Sequence, residues 1–192
     1  MKRIKLRTWI AICALAMATC LGLTACSSGP SAEEVIAEGI TTTLDQVKTL
    51  DDDTLDEIVA AGKDDLADLN AVGIDARELF KTAFDGFDYK IESVTVDDDL
   101  AKADLTITAK SFIDAQAKAE EITLKWLDEA DTSIINMNED QINAKVGELA
   151  MRAISETEPK TSTVRATFTK NGDEWSCDDD LISKVVNEAF FA

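Results

Sequence analysis

The sequence TVRATFTKNGDEWSC, residues Thr163 to Cys177, carries the clearest structural signal in this chain. Its first half alternates polar with apolar side chains, which is typical of a strand with one buried and one solvated face. The apolar members are Val164, Ala166 and Phe168. Asn171-Gly172 favours the two positive φ angles of a type I′ turn, and Trp175 and Cys177 then share one face of a return strand. The stretch therefore predicts a β-hairpin.

A second hairpin is predicted between Phe87 and Ala109. Apolar residues alternate on both sides of a phase slip between Ile91 and Val94, which indicates a β-bulge. Asp97-Asp98-Asp99 has the composition of a turn, and residues 101–109 then alternate without interruption. Two hairpins separated by helices predict an antiparallel sheet of about four strands, with helices covering its apolar face.

Helix starts are indicated by residues that cap free backbone N–H groups. Capping boxes are predicted at Ser31–Glu34 and Thr54–Glu57. Further helices are predicted to start at Asp75, Ser111 and Asn138, and a short closing helix follows Asp178–Asp180.

The two helices between the hairpins each carry an apolar face at helical spacing. The first face consists of Phe112, Ala115, Ala119, Ile122, Trp126 and Leu127. The second consists of Ile142, Val146, Leu149, Ala153 and Ile154. The order ααα–ββ–αα–ββ–α predicts an α+β fold with an N-terminal helical segment. We expect a single domain over residues 31–192, helical over 31–86 and containing the sheet and further helices over 87–192.

The N-terminus has the layout of a secretory signal. A basic start over Lys2–Arg7 precedes an apolar run, Trp9–Leu23, that is shorter than the ~20 residues of a membrane-spanning helix. Leu23-Thr24-Ala25-Cys26 follows and resembles the lipobox of bacterial lipoproteins. The resemblance implies that a peptidase cuts between Ala25 and Cys26, and that diacylglycerol is attached to the Cys26 thiol.

This interpretation divides the N-terminus into a signal peptide, residues 1–25, and a lipidated cysteine with a short linker, residues 26–30. It places the protein at the cell membrane, lipid-anchored on the extracytoplasmic face. Two alternatives stay open: an uncleaved N-terminal anchor, and an ordinary signal peptide that is cut after Ala25 without lipid attachment.

From Phe87 to the C-terminus, the chain resembles small α+β lipoprotein domains of Gram-positive bacteria with a cystatin-like or NTF2-like layout. The matching features are the hairpin Thr163–Cys177, its Asn171-Gly172 turn, its single Trp175, and the Asp178–Asp180 run before the last helix. The resemblance implies a curved sheet around helices and an extracytoplasmic location. It implies no catalytic residue.

Composition excludes several classes of function. The 192 residues include 38 acidic and 19 basic residues and no histidine. Ser-His-Asp catalysis, Cys-His catalysis and histidine-ligated metals are therefore excluded. Removal of a signal carrying four basic residues and no acidic ones changes the net charge from −19 to −23. This charge argues against binding to nucleic acid, whose backbone is itself anionic.

Three aspartate triplets suggest calcium as one alternative, since Ca²⁺ prefers several oxygen ligands. They are Asp51–Asp53, Asp97–Asp99 and Asp178–Asp180. Aspartate also suits turns and helix N-termini, where it accepts hydrogen bonds from backbone N–H groups. All three triplets fall at predicted element boundaries, so we favour the capping role and predict no metal and no cofactor.

Cys177 is the cysteine that remains once Cys13 and Cys20 leave with the signal and Cys26 is acylated. It has two interpretations, a reactive thiol and a buried apolar side chain. Its shared face with Trp175 favours burial, and the neighbouring aspartates should raise the pKa of its thiol.

Five aromatic residues could line an apolar pocket on the concave face of the sheet: Tyr89, Phe112, Trp126, Phe168 and Trp175. The alternative is that they form the hydrophobic core, which we favour.

The expected function is a non-enzymatic binding module at the cell envelope, with the membrane as partner through the lipid anchor. A further partner would be an envelope protein or a small ligand. The alternative is a small-molecule carrier or envelope enzyme that uses the concave face.

Overall fold

The computed structural model describes residues 29–61, 66, 69–129 and 134–191. Within these ranges the α-helices are α1 (Ala32–Thr49), α2 (Asp52–Ala61), α3 (Ala76–Phe84), α4 (Phe112–Glu129), α5 (Glu139–Glu156) and α6 (Leu181–Val185). The strands are β1 (Asp88–Asp97), β2 (Leu100–Ala109), β3 (Lys160–Asn171) and β4 (Glu174–Cys177). A short 3₁₀ helix spans Ile134–Asn136, and a π-helical turn spans Val186–Phe190.

The strands form one antiparallel sheet in the order β1-β2-β3-β4. The predicted α+β class, with two hairpins, four strands and an N-terminal helix, is therefore confirmed. β2 and β3 pair along their full common length, from Leu100 opposite Thr169 to Ala109 opposite Lys160. β4 pairs only with Phe168–Asn171 at the far end of β3.

The predicted bulge in β1 is confirmed, because the register with β2 shifts between Ile91 and Ser93.

The predicted turn of the β3–β4 hairpin is wrong by one residue. Asn171 is the last residue of β3 and pairs with Glu174, so the loop consists of Gly172 and Asp173. Gly172 has a φ of 68° and Asn171 keeps a negative φ. A positive φ at the first loop position alone is the pattern of a type II′ turn, which glycine adopts without strain.

Most helix starts lie where the capping residues predict them. Ser31 and Glu34 form the reciprocal capping box of α1, and Asn138 and Gln141 form that of α5. The capping box predicted at Thr54 is wrong. α2 already begins at Asp52, and the Asp51 carboxylate accepts a hydrogen bond from the Thr54 N–H at 2.8 Å.

The main core lies between the apolar face of the sheet and two segments distant in sequence, α1 and the α6 region. The buried sheet residues include Leu105, Ile107, Val164 and Ala166. They pack with Ile36, Ile40 and Leu44 of α1 and with Leu181, Val185 and Phe190 near the C-terminus. The apolar face of the sheet is thus filled by the protein's own side chains.

Aromatic rings close one end of this core. The Phe190 ring lies 4.9 Å from the ring of Phe84, 6.1 Å from that of Phe87 and 5.7 Å from that of Phe112, measured between centroids. These residues come from the end of α3, the approach to β1, the start of α4 and the C-terminal turn. The ring cluster therefore joins four elements that are separate in sequence.

The helices α4 and α5 pack mainly against each other and form an arm with its own small core of Ile122, Leu149 and Ala153. The prediction that helices cover the apolar face of the sheet is correct for α1 and α6. The pair α4 and α5 instead packs mainly around its own small core. α5 contacts α3, and Gly147 of α5 lies directly against the Val72 carbonyl. The arm is thus fixed to the body at a close approach that only glycine permits.

Candidate interaction surface

The lipobox residues Ala25 and Cys26, and the signal peptide before them, lie outside the described residues. The described part of the chain begins just before α1, whose N-cap is Ser31. None of the described helices combines the length and apolar character that crossing a membrane requires.

The structure brings together four of the five aromatic residues that were candidates for lining a pocket. Tyr89, Phe112, Phe168 and Trp175 all belong to or pack against the main core. Trp126 lies elsewhere, against the small core of the arm. Phe168 is buried, whereas the other four are half-buried. The five residues therefore do not form one lining.

Tyr89 is the most polar member of this set. Its hydroxyl donates to Asp45 Oδ1 at 2.7 Å and lies 3.3 Å from the Thr41 carbonyl oxygen. Burial and the hydrogen bond to the Asp45 carboxylate raise the pKa of the phenol above its usual value of 10.0. The contact holds β1 against α1, so this hydroxyl serves packing between elements.

Cys177 lies half-buried beside Phe168 at the end of β4. Burial raises the pKa of its thiol to about 11, and the negative charges of Asp178, Asp179 and Asp180 act in the same direction. The predicted direction is confirmed, although burial contributes more than charge. A thiol with such a pKa is almost wholly protonated at neutral pH and is a poor nucleophile.

The aspartate triplets lie at turns and helix starts. Asp51 caps α2, Asp98 occupies the β1–β2 turn with a φ of 54°, and Asp180 accepts from the Ser183 N–H at 2.9 Å. Asp178 accepts from the Thr169 hydroxyl at 2.6 Å. Within the described ranges, no three acidic or thiol side chains converge as a metal site requires.

An open polar depression of about 390 Å³ lies beside α6. It is lined by Asp179, Asp180, Ser183, Lys184, Asn187 and Glu188. Lys184 Nζ lies 3.6 Å from Asp179 and 3.4 Å from Glu188. Partial burial alone would lower the pKa of this ammonium, but the two carboxylates outweigh it and raise the pKa. The one ammonium group of the depression is thus paired with two of its carboxylates, and the third, Asp180, accepts from Ser183.

The arm carries most of the exposed large apolar side chains on the described part of the chain. Five of the nine large apolar side chains that are exposed there lie between residues 124 and 146. We call these five residues the arm tip: Leu124, Leu127, Ile135, Ile142 and Val146. Their exposed fractions run from 40% for Ile142 to 81% for Ile135. Leu124 lies roughly 160° around α4 from Trp126, which packs against the α4–α5 core, so the five side chains do not share one face.

Sequence reasoning assigned three of these residues to buried helix faces, namely Leu127, Ile142 and Val146. That assignment is wrong, since each of the three side chains is at least 40% exposed, while the two helices meet around Ile122 and Leu149. Leu124 carried a signal for exposure, because it falls outside the apolar face predicted for its helix.

The charges around the arm tip are acidic. Lys125 pairs with Glu129 at 3.9 Å, and Lys145 pairs with Glu148 at 2.7 Å. Asp128, Glu139 and Asp140 lie in the same segment and form no ion pair with the described residues. Between residues 124 and 146 the described carboxylates therefore outnumber the ammonium groups.

No protein-family model matches the chain, and neither does any curated protein sequence. Among solved structures, the chain is similar to ycdA from Bacillus subtilis, a protein that is provisionally named a lipoprotein, with 16% identity and a TM-score of 0.40. The similarity covers 80% of this chain but only 47% of that one, so the chain spans about half of its length. A likeness this distant carries no inference about fold family or function.

Proposed function

We propose that this protein is a lipid-anchored extracytoplasmic binding module without enzymatic activity, which acts through an exposed surface. The main support for this proposal is the packing of the sheet. Its apolar face, where a ligand pocket would form in a concave sheet, is occupied by α1 and by the C-terminal turn. Phe190 is 1% exposed at the centre of the ring cluster that closes this space.

The anchor is supported by the sequence. Leu23-Thr24-Ala25-Cys26 follows a basic start and a short apolar run. Two acyl chains suffice for stable attachment to a membrane. Only Ser27–Pro30 separate Cys26 from Ser31, the N-cap of α1. An extended chain spans at most roughly 3.5 Å per residue, so this tether is short. The domain would then stay close to the bilayer, while its negative charge is repelled by anionic headgroups.

Binding through the surface is supported by the contrast between the core and the arm. The aromatic residues suited to holding a small ligand pack against protein, whereas large apolar side chains at the arm tip face solvent. Large apolar side chains that face solvent are one mark of a surface that binds other proteins.

The anchor is tested by feeding an expressing bacterium an alkyne-tagged fatty acid and detecting the label on the protein. We expect labelling of the wild-type chain, none in Cys26→Ala together with retained precursor, and normal labelling in the matched variant Cys177→Ala. Persistent labelling of Cys26→Ala would refute the lipid attachment.

The mode of action is tested on the same protein, extracted from membranes, by native mass spectrometry. We expect the mass of the acylated chain and no second, non-covalent small molecule. A stoichiometric small molecule that is released on unfolding would favour a carrier and contradict a surface-binding module.

A further inference from the structure

We propose that Asn171 is a site of spontaneous deamidation: the reaction is slowed by its hydrogen bond to Ser176, and its products loosen β4 from β3. The reaction needs no enzyme and converts the side-chain amide into a carboxylate. It produces an aged form of the chain, which carries one more negative charge and has a weakened β3–β4 hairpin.

The chemistry is an intramolecular attack. The backbone nitrogen of Gly172 loses its proton and bonds to Cγ of Asn171, and the Cγ–Nδ2 bond breaks with release of ammonia, which takes up that proton. The product is a succinimide ring, and water then opens it at one of its two carbonyl groups. Opening at Cγ gives aspartate, whereas opening at the main-chain carbonyl gives isoaspartate, whose backbone contains one extra carbon atom. Because the nitrogen and Cγ belong to adjacent residues, the attack is effectively unimolecular.

The residue after the asparagine decides how easily the ring closes. Of the six asparagines in the chain, Asn171 alone precedes a glycine. Glycine has no Cβ atom to crowd the attacking nitrogen, and its backbone adopts most φ and ψ angles without strain. The surroundings of Gly172 are open as well, since a Cβ atom added there meets nothing within 4 Å. No described element therefore obstructs the ring.

The fold also leaves the two reacting groups accessible. Asn171 and Gly172 are both exposed. The β3–β4 ladder ends at the pair Asn171 and Glu174, so the Gly172 N–H lies in the two-residue loop, outside the ladder. The Asn171 amide donates from Nδ2 to Ser176 Oγ at 3.2 Å, and that hydroxyl donates to the Thr169 carbonyl at 3.2 Å. Because Nδ2 is the group that leaves, the reaction must break this hydrogen bond.

The products act on a short strand. β4 pairs with β3 through four residues, and Asn171 opposite Glu174 is the last of these pairs. An aspartate at position 171 places a carboxylate directly opposite that of Glu174, and like charges in this position destabilise a strand pair. Isoaspartate lengthens the backbone by one atom just before the loop, so the two strands cannot keep their register. The half-buried Trp175 and Cys177 of β4 are then held less firmly against the main core.

The site is tested by incubating the acylated full chain, extracted from membranes, in mildly alkaline buffer and mapping its peptides by mass spectrometry over time. We expect Asn171 to convert at least about tenfold faster than Asn187, because Asn171 combines a following glycine with a loop nitrogen. Asn187 is the internal comparison, since it is also exposed but precedes Glu188 in the π-helical turn. A protein isoaspartate methyltransferase detects the isoaspartate product. Equal conversion of the two asparagines would overturn the proposal.

The role of Ser176 is tested by substitution. Ser176→Ala should deamidate about threefold faster at Asn171, the effect expected from loss of one hydrogen bond of ordinary strength. The matched control is Ser93→Ala in β1, whose hydroxyl lies 3.4 Å from Asp104 and which should leave the rate unchanged. Asn171→Gln should abolish the mass change, because a glutamine amide has to close a larger ring. An unchanged rate in Ser176→Ala would contradict the proposed control by this hydrogen bond.

The consequence is tested on variants with the same added charge. Asn171→Asp should raise the deuterium exchange rate of the β4 backbone amides about two- to fivefold, the range expected of like charges on opposite strands. Asn143→Asp on α5 adds the same charge in the arm and should leave β4 unchanged. The isoaspartate fraction, separated from the aged protein by ion exchange, should exchange faster still. Equal exchange of the β4 amides in the wild type, in Asn171→Asp and in the isoaspartate fraction would overturn the proposal that deamidation loosens β4.

Discussion

Gly147, in the middle of α5, lies against the backbone carbonyl of Val72, and the space between them is too small for a Cβ atom. Ile74 closes the same space from the side. A backbone carbonyl cannot rotate away as the end of a side chain can. The contact between the arm and the body therefore requires glycine, which has no side chain, at position 147.

Gly147→Ala should lower the free energy of unfolding by about 1–3 kcal/mol, because the added methyl group forces α5 away from residues 72–74. Alanine normally stabilises a helix relative to glycine, so the expected sign is reversed here. The measurement is chemical denaturation followed by tryptophan fluorescence.

The matched control is Gly39→Ala, also inside a helix. A Cβ atom at Gly39 meets nothing within 4 Å, so this variant should gain about 0.5–1 kcal/mol. Stabilisation by both substitutions would contradict the close approach at Gly147.

Phe190→Ala should destabilise the protein by about 3–5 kcal/mol, because it removes the ring that contacts Phe84, Phe87 and Phe112. The neighbouring Phe191 touches Phe112 but is 42% exposed. Phe191→Ala should therefore cost clearly less. Thermal unfolding of the two variants compares them directly, and equal losses would argue against Phe190 as the centre of the cluster.

The Cys177 thiol should react slowly with iodoacetamide in the native protein. With its pKa raised to about 11, the thiolate fraction at pH 8 is about a hundredfold below that of an ordinary thiol. The rate should rise steadily between pH 8 and pH 11. Peptide mass mapping identifies the labelled residue, and the unfolded chain serves as the control. Rapid native labelling at pH 8 would contradict the raised pKa of this half-buried thiol.

Tyr89 is the single tyrosine of the chain, so absorbance at the phenolate wavelength reports it alone. Its ionisation should have a midpoint above 10.0 in the folded protein, because burial and the Asp45 hydrogen bond disfavour the phenolate. In the unfolded chain the phenol ionises near its usual pKa. The contribution of Tyr89 to stability is therefore present below about pH 10 and is lost as the pH rises from there toward the folded pKa.

Asp45→Asn should lower this midpoint toward the ordinary value, since it removes the acceptor carboxylate. Glu38→Gln, on the same helix but without a contact to Tyr89 among the described residues, should leave it unchanged. A midpoint that does not respond to Asp45→Asn would show that the hydrogen bond is absent in solution.

The sheet could be predicted because strand alternation records directly which side chains face the core. The phase slip between Ile91 and Val94 even located the bulge. The predicted loop, Asn171-Gly172, lies one residue before the observed loop, Gly172-Asp173. Both pairs place a glycine in a two-residue loop, so the sequence does not distinguish them. Helix starts were predicted well where one capping residue was available. Beside Asp51–Asp53 the predicted start is three residues late, because several residues in succession can cap and Asp51 does so in place of Thr54.

The arm tip could not be predicted from the same patterns. Helical periodicity identifies residues that share a face, such as Ile122 with Trp126, but it does not say what covers that face or how far along the helix the cover extends. The structure supplies this information, because α4 and α5 meet around Ile122 and Leu149 and leave Val146 half exposed.

The separate cores of the arm and the sheet also predict how the molecule opens. No residue of the Ile122–Leu149–Ala153 cluster belongs to the core beneath the sheet. Backbone amides of the arm should exchange with deuterium through local opening, while those of β2 and β3 should exchange only when the whole protein unfolds. Unfolding is then not fully cooperative. Substitutions on the outside of the arm should therefore change the free energy of unfolding of the sheet very little.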